Sequence, residues 1–100
     1  MSLFEPLNPL LHSQLRLAIM SLLMRTNEAD FTFLQKQANA TAGNLSVQVN
    51  KLKAAGYIEV IKQFKEYYPQ TVCKITPLGK EVFEIYVRTL QAYVNPYGQL

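Results

Sequence analysis

The hydrophobic period of this chain changes at Gly56, and that change constrains the fold more than any other feature. Before it, apolar residues recur three and four positions apart; after it they alternate as far as Ile75, and then helical spacing returns. Blocks of helix, strand and helix, rather than alternating elements, pack helices against a small antiparallel sheet.

Upstream of Gly56 three helices are predicted. Asn8-Pro9 ends an extended arm, and Ser13 caps a first helix running to about Arg25. Leu11, Leu15, Ala18, Ile19, Leu22 and Leu23 form its core face, while Leu17, Met20 and Met24 draw a second apolar line. A surface helix needs one stripe; the second is buried against another subunit or thickens the chain's own core. Thr26 to Asp30 reads as a polar turn, and Phe31 starts a very short strand or anchors the core. Thr32 with Gln35 makes a capping-box pattern for a short second helix, which Asn39 closes in the left-handed conformation. Thr41 caps a third helix over Ala42 to Ala55, ended by Gly56. Two short helices joined by a tight turn are the signature of a helix-turn-helix.

Downstream, Tyr57 to Glu66 reads as a strand, Tyr67 to Gln70 as a turn, and Thr71 to Ile75 as a second strand. Thr76-Pro77 opens a last helix that runs to about Val94 and stops at Asn95-Pro96. The predicted fold is mainly α with a small β-hairpin wing, in the order helix, helix, helix, hairpin, helix. One domain spans 1–100, with its core at 7–94 between a short N-terminal arm and a C-terminal tail.

Apolar residues make up 49% of the chain, enough for a core. A domain this small still buries only about two-thirds of its unfolded surface, so it gains from a partner subunit. The final helix sets Phe83, Val87, Leu90 and Val94 on one stripe and Val82, Tyr86 and Tyr93 on another. With the Leu17, Met20 and Met24 line, these stripes predict a two-fold homodimer. Its interface is expected at Leu17, Met20, Met24, Val82, Tyr86, Leu90 and Tyr93.

The net charge of +3 is unevenly spread. Lys36, Lys51, Lys53, Lys62, Lys65, Lys74 and Lys80 face only Glu59 and Glu66 in the middle of the chain, while the two ends are slightly acidic. A polyanionic partner and a solvated surface both fit that pattern.

Several function classes are excluded. The single Cys73 and single His12 cannot build an intrachain metal site, and no cofactor is expected. Paired carboxylates at active-site spacing, a nucleophile elbow and a phosphate-cradling glycine loop are absent, so no enzymatic activity is expected. One cysteine allows no internal disulfide, no apolar run nears the ~20 residues of a membrane span, and no signal peptide is present, so a cytoplasmic location is expected. Cys73 alternates with Thr71 and Ile75 as a core thiol, with redox sensing the alternative; His12 suits capping or packing.

Three stretches carry a family resemblance: Gly43-Asn44-Leu45-Ser46, Lys51 through Ile58, and Ile75-Thr76-Pro77-Leu78-Gly79-Lys80. With them goes an N-terminal motif of His12-Ser13 followed by Arg16. Over residues 7 to 94 the chain resembles the single-domain winged-helix regulators related to the MarR and ArsR families. It departs from their pattern at Gln37, Ala40 and Val47. The resemblance implies a sequence-specific double-stranded DNA-binding regulator, a repressor, with its third helix in the major groove and its wing on the backbone. An effector ligand is not identified.

The residues support that reading independently. Leu45, Val49 and Leu52 form a narrow core face on the third helix. Away from it lie Gly43, Asn44, Val47, Asn50 and Lys51, flanked by Ser46 and Gln48, and preceded by Thr41 and Ala42. A recognition helix reads base edges near its N-terminus. Asn and Gln pair with adenine, Ser serves either base type, and Val47 suits a thymine methyl. Gly43 lets backbone approach phosphate. On the wing, Lys62 and Lys65 supply neutralising charge, with Tyr67, Tyr68 and Gln70 beside them; packing of the two tyrosines against the body is the alternative. A winged-helix protein–protein module without DNA is the competing class, and RNA binding a third. The polar Asn, Ser, Gln and Lys of the third helix favour nucleic acid over an apolar dock.

Overall fold

The computed structural model of the protein describes residues 2–98. Residues 1, 99 and 100, which the expected domain includes, lie outside the described residues. The elements are α1 (Gln14–Thr26), β1 (Glu28–Asp30), α2 (Phe31–Gln37), α3 (Ala42–Ala54), β2 (Ile58–Lys65), β3 (Tyr68–Ile75) and α4 (Pro77–Val94). Four helices and a winged antiparallel sheet are the predicted class, and most helix limits fall within a residue of the sequence reading.

Several local details differ. The polar segment read as a turn supplies a third strand: β1 pairs with β3, giving the order β1-β3-β2. Glu28, Ala29 and Asp30 have no intrinsic β preference; their pairing is imposed by the neighbouring edge of β3. Asn27 turns the chain into it with φ 65, and its carbonyl accepts from the Ile75 amide at 3.0 Å.

Phe31 accordingly begins α2 rather than a strand. The cap is Asp30, whose side chain accepts from the Phe33 amide at 2.7 Å, and not the Thr32–Gln35 pair. A carboxylate there satisfies an orphan amide and opposes the positive helix end. Ser13 has extended cap geometry but makes no side-chain capping bond. The turn before it is closed by the Asn8 carbonyl, which accepts from the Leu11 and His12 amides.

The wing turn is two residues, Glu66 and Tyr67, with φ of 51 and 71; Lys65 pairs with Tyr68. Tyr68, Pro69 and Gln70 therefore lie in β3, not in the turn. A two-residue turn that continues the strand twist needs positive φ at both central positions. Pro69 is tolerated because β1 covers β3 only from Val72 to Lys74.

The core joins Leu11, Ile19, Met20 and Leu23 to Leu34, to Leu45, Val49 and Leu52 of α3, to Ile58, Cys73 and Ile75 of the sheet, and to Tyr86 of α4. The α2–α3 turn closes through Asn39, at φ 52, with the Ala40 amide returning to the Gln35 carbonyl. Gly56, at φ 80, ends α3. Thr76 then locks the two ends of the wing: its hydroxyl donates to the Gly56 carbonyl at 2.6 Å and accepts from the Gly79 amide at 2.9 Å. These contacts fix α3 relative to the sheet.

Candidate nucleic-acid interface

The sequence of α3 buries one face and leaves the other free. Leu45 and Leu52 are fully buried and Val49 nearly so. Thr41, Ala42, Gly43, Asn44, Ser46, Val47, Asn50 and Lys51 are exposed, and Gln48 is half-buried. Thr41 caps the helix, its hydroxyl accepting from the Asn44 amide at 3.1 Å. A Cβ on Gly43 would meet nothing within 4 Å, so no packing within the chain requires glycine there. Val47, half exposed, is the one large apolar side chain on this face.

Two side chains on this face are tied to α1. The Arg16 guanidinium donates through Nε to the Leu10 carbonyl and through Nη1 to Gln48 Oε1. Gln48 Nε2 donates in turn to Asn44 Oδ1 at 3.1 Å. Sequence reasoning placed Arg16 in the family-like motif and not in the site. The available signal was weak: it is the only charge between Leu15 and Met24, and its partner is 32 positions away.

The wing residues divide between two faces, because successive side chains of a strand point to opposite sides. Lys62 and Phe64 continue the face that begins at Ile58 and Val60, opposite Thr71 and Pro69. Lys65 lies opposite Tyr68 on the other face, with Gln63 opposite Gln70. The structure therefore does not bring Lys62 and Lys65 onto one face of the strand. Tyr67 is 98% exposed and Tyr68 is 74% exposed, so neither packs against the body. Gln70 is a brace: it accepts from Gln63 at 3.0 Å and reaches Asp30 at 3.4 Å, linking the wing to the cap of α2.

The expected subunit interface is corrected at two positions. Met20 is fully buried and Tyr86 is 2% exposed, so both belong to the chain's own core and neither can meet a second copy. Tyr86 is held by His12, whose Nδ1 lies 2.9 Å from its hydroxyl. Leu17, Met24, Val82 and Leu90 are half-buried at the rim of the core. Tyr93 is exposed but packs on Phe4 of the N-terminal arm, with ring centroids 5.0 Å apart. Only Gly79 and Tyr86 of α4 are buried. Its exposed apolar residues include Ile85, Val87 and Val94.

Burial pushes the Cys73 thiol up to about 11, consistent with a core thiol. Among the described residues no group of three or more His, Cys, Asp or Glu is placed to hold a metal ion. No helix among them is long and apolar enough to cross a membrane.

A helix-turn-helix with an exposed polar second helix, followed by a basic hairpin, defines a winged helix. Residues 15–94 match the winged helix DNA-binding domain family, and the chain belongs to it. It is 32% identical over 76 residues to the uncharacterized protein MJ0432 of Methanocaldococcus jannaschii, covering 76% of this chain and 83% of that one. It is also similar to a transcriptional regulator homologue protein from Pyrococcus horikoshii OT3, with TM-score 0.82 and 29% identity over 90% of this chain and 89% of that one. The fold is shared with a MarR-family transcriptional regulator from Silicibacter pomeroyi, with TM-score 0.63 and 16% identity over 89% of this chain and 62% of that one.

Proposed function

We propose that this protein is a sequence-specific regulator of transcription that inserts α3 into the major groove of duplex DNA and lays its wing along the backbone. The observation that carries the reading is the division of α3. Leu45, Val49 and Leu52 are committed to the core, while Asn44, Ser46, Val47 and Lys51 stand exposed beyond the capped N-terminus. Those side chains suit base edges and phosphate, and the positive helix end favours a phosphate nearby. Thr41, Ala42 and Gly43 are the backbone-proximal members of this face. On the wing, Lys65, Tyr67 and Tyr68 are the phosphate contacts, and Lys62 approaches from the other strand face. Gln70 acts through the wing's rigidity.

The DNA-bound form is a homodimer in this reading. An 18-residue α4, about 27 Å long, that leaves Val87 and Val94 exposed on one flank beside Met24 and Phe83 suits a second copy better than water. Met24 borders that surface, and the half-buried Leu17, Val82 and Leu90 are the other members of the expected interface. Regulation is repression: a dimer seated on the duplex covers its site and blocks other proteins sterically.

Selection of bound fragments from a random duplex library tests the proposal. The expected product is an inverted repeat with half-sites about one helical turn apart, or a multiple of it. Absence of any enriched sequence, together with binding indifferent to salt, would refute it.

A further inference from the structure

We infer that Arg16, though it lies on α1, sets the base preference of α3 by fixing the polarity of two amides, so that the face selects guanine over adenine. The inference rests on α3 reading base edges, as proposed above.

A guanidinium carries five donors and no acceptor. Gln48 must therefore present its oxygen to Arg16 Nη1, and the orientation of its amide is decided by chemistry alone. Nε2 then points away from Arg16 and donates to Asn44. An NH2 group cannot accept, so Asn44 must turn Oδ1 towards Gln48. Each step forces the next. The second anchor of Arg16, on the Leu10 carbonyl, holds the guanidinium against the chain and prevents it from following a ligand.

The consequence is a face that offers hydrogens. Both Nδ2 hydrogens of Asn44 and one Nε2 hydrogen of Gln48 remain unused, while each amide oxygen already accepts one hydrogen bond and keeps a single lone pair. An unconstrained Asn or Gln reads adenine by accepting from its N6 amino group and donating to N7. Guanine offers two acceptors, N7 and O6, at the same edge. An amide whose hydrogens are free and whose oxygen is already held by another donor therefore suits guanine better than adenine, whose amino group must compete for that oxygen. Arg16 is a positioning residue: it acts through Gln48 and Asn44 without touching the base.

The test uses the full chain and duplexes selected from a random library. Each G·C pair of the selected half-site is replaced in turn by A·T, and affinity is read by fluorescence anisotropy. The wild type is expected to lose about tenfold at one replacement at least, within the range of one bidentate base contact. Arg16→Met releases Gln48, and Gln48→Ala releases Asn44 while leaving the Leu10 anchor intact. Both variants are expected to reduce that discrimination to about threefold or less. A merely supporting role for Arg16 would weaken the G·C and A·T duplexes alike. If Arg16→Met does not fold, as judged by circular dichroism, Gln48→Ala decides. Unchanged discrimination in the folded variants, or a wild type indifferent to every such replacement or preferring A·T, overturns the inference and leaves the DNA-binding proposal standing. A wild type without salt-dependent duplex binding overturns both.

Discussion

Gly79, in the first turn of α4, lies so close to the backbone carbonyl of Tyr57 that a Cβ on it would overlap the oxygen. That contact brings the start of α4 onto the segment leaving α3, where the Thr76 amide also donates to the Tyr57 carbonyl at 3.0 Å. The neighbour is backbone and cannot rotate away. Gly79→Ala is therefore expected to destabilise the protein by about 1–3 kcal/mol, the range for overpacking a well-filled site. Chemical denaturation of both chains measures it; equal midpoints would mean that the close approach relaxes freely.

At the wing tip, Glu66 and Tyr67 both hold the left-handed conformation without being glycine. The conformation costs roughly 1–2 kcal/mol per residue, offset in part by the greater freedom glycine has when unfolded. Tyr67→Gly is expected to raise thermal stability by up to about 1 kcal/mol while weakening DNA binding through the lost hydroxyl. Stability and affinity moving in the same direction would contradict this account of the tip.

The Cys73 thiol is raised from 9.0 to about 11 by burial. Above pH 9.0 the unfolded chain releases this proton and the folded chain retains it. Stability is therefore full below that pH and declines as pH climbs towards about 11. Cys73→Ala is expected to show a shallower decline over the same window. Native Cys73 should resist thiol reagents until unfolding; rapid native labelling would show that the site opens.

The order of helices and the place of the wing were legible because they rest on local signals. Thr41 and Gly56 bracket α3 as capping chemistry requires, and Leu45, Val49 and Leu52 mark its core face. What was not legible depends on partners remote in sequence. Glu28–Asp30 becomes a strand only because β3 is beside it. Arg16 meets Gln48 only once α1 and α3 pack. Met20 and Tyr86 were read as spare apolar surface because periodicity shows that a face is apolar and not how much of it one chain can cover. The two-residue wing turn was missed because Glu66-Tyr67 lacks the Asn or Gly that usually marks positive φ.

Val87, exposed on α4 beside Met24 and Phe83, is the position to test for self-association. The wild type is expected to sediment as a dimer at micromolar concentration. Val87→Lys is expected to sediment as a folded monomer, because two-fold packing would bury two like charges together. A monomeric wild type would remove the homodimer from the account.

The most direct test of the central claim, that α3 reads bases while the wing holds the backbone, is a salt series of fluorescence anisotropy on selected and random duplexes. Asn44→Ala is expected to cost roughly 1–3 kcal/mol on the selected duplex and to leave random-duplex binding nearly unchanged. Lys65→Ala is expected to weaken both and to lower the salt slope by about one. If neither substitution changes affinity, or if both lower it equally on every duplex with no change in salt slope, the division of roles between α3 and the wing is wrong.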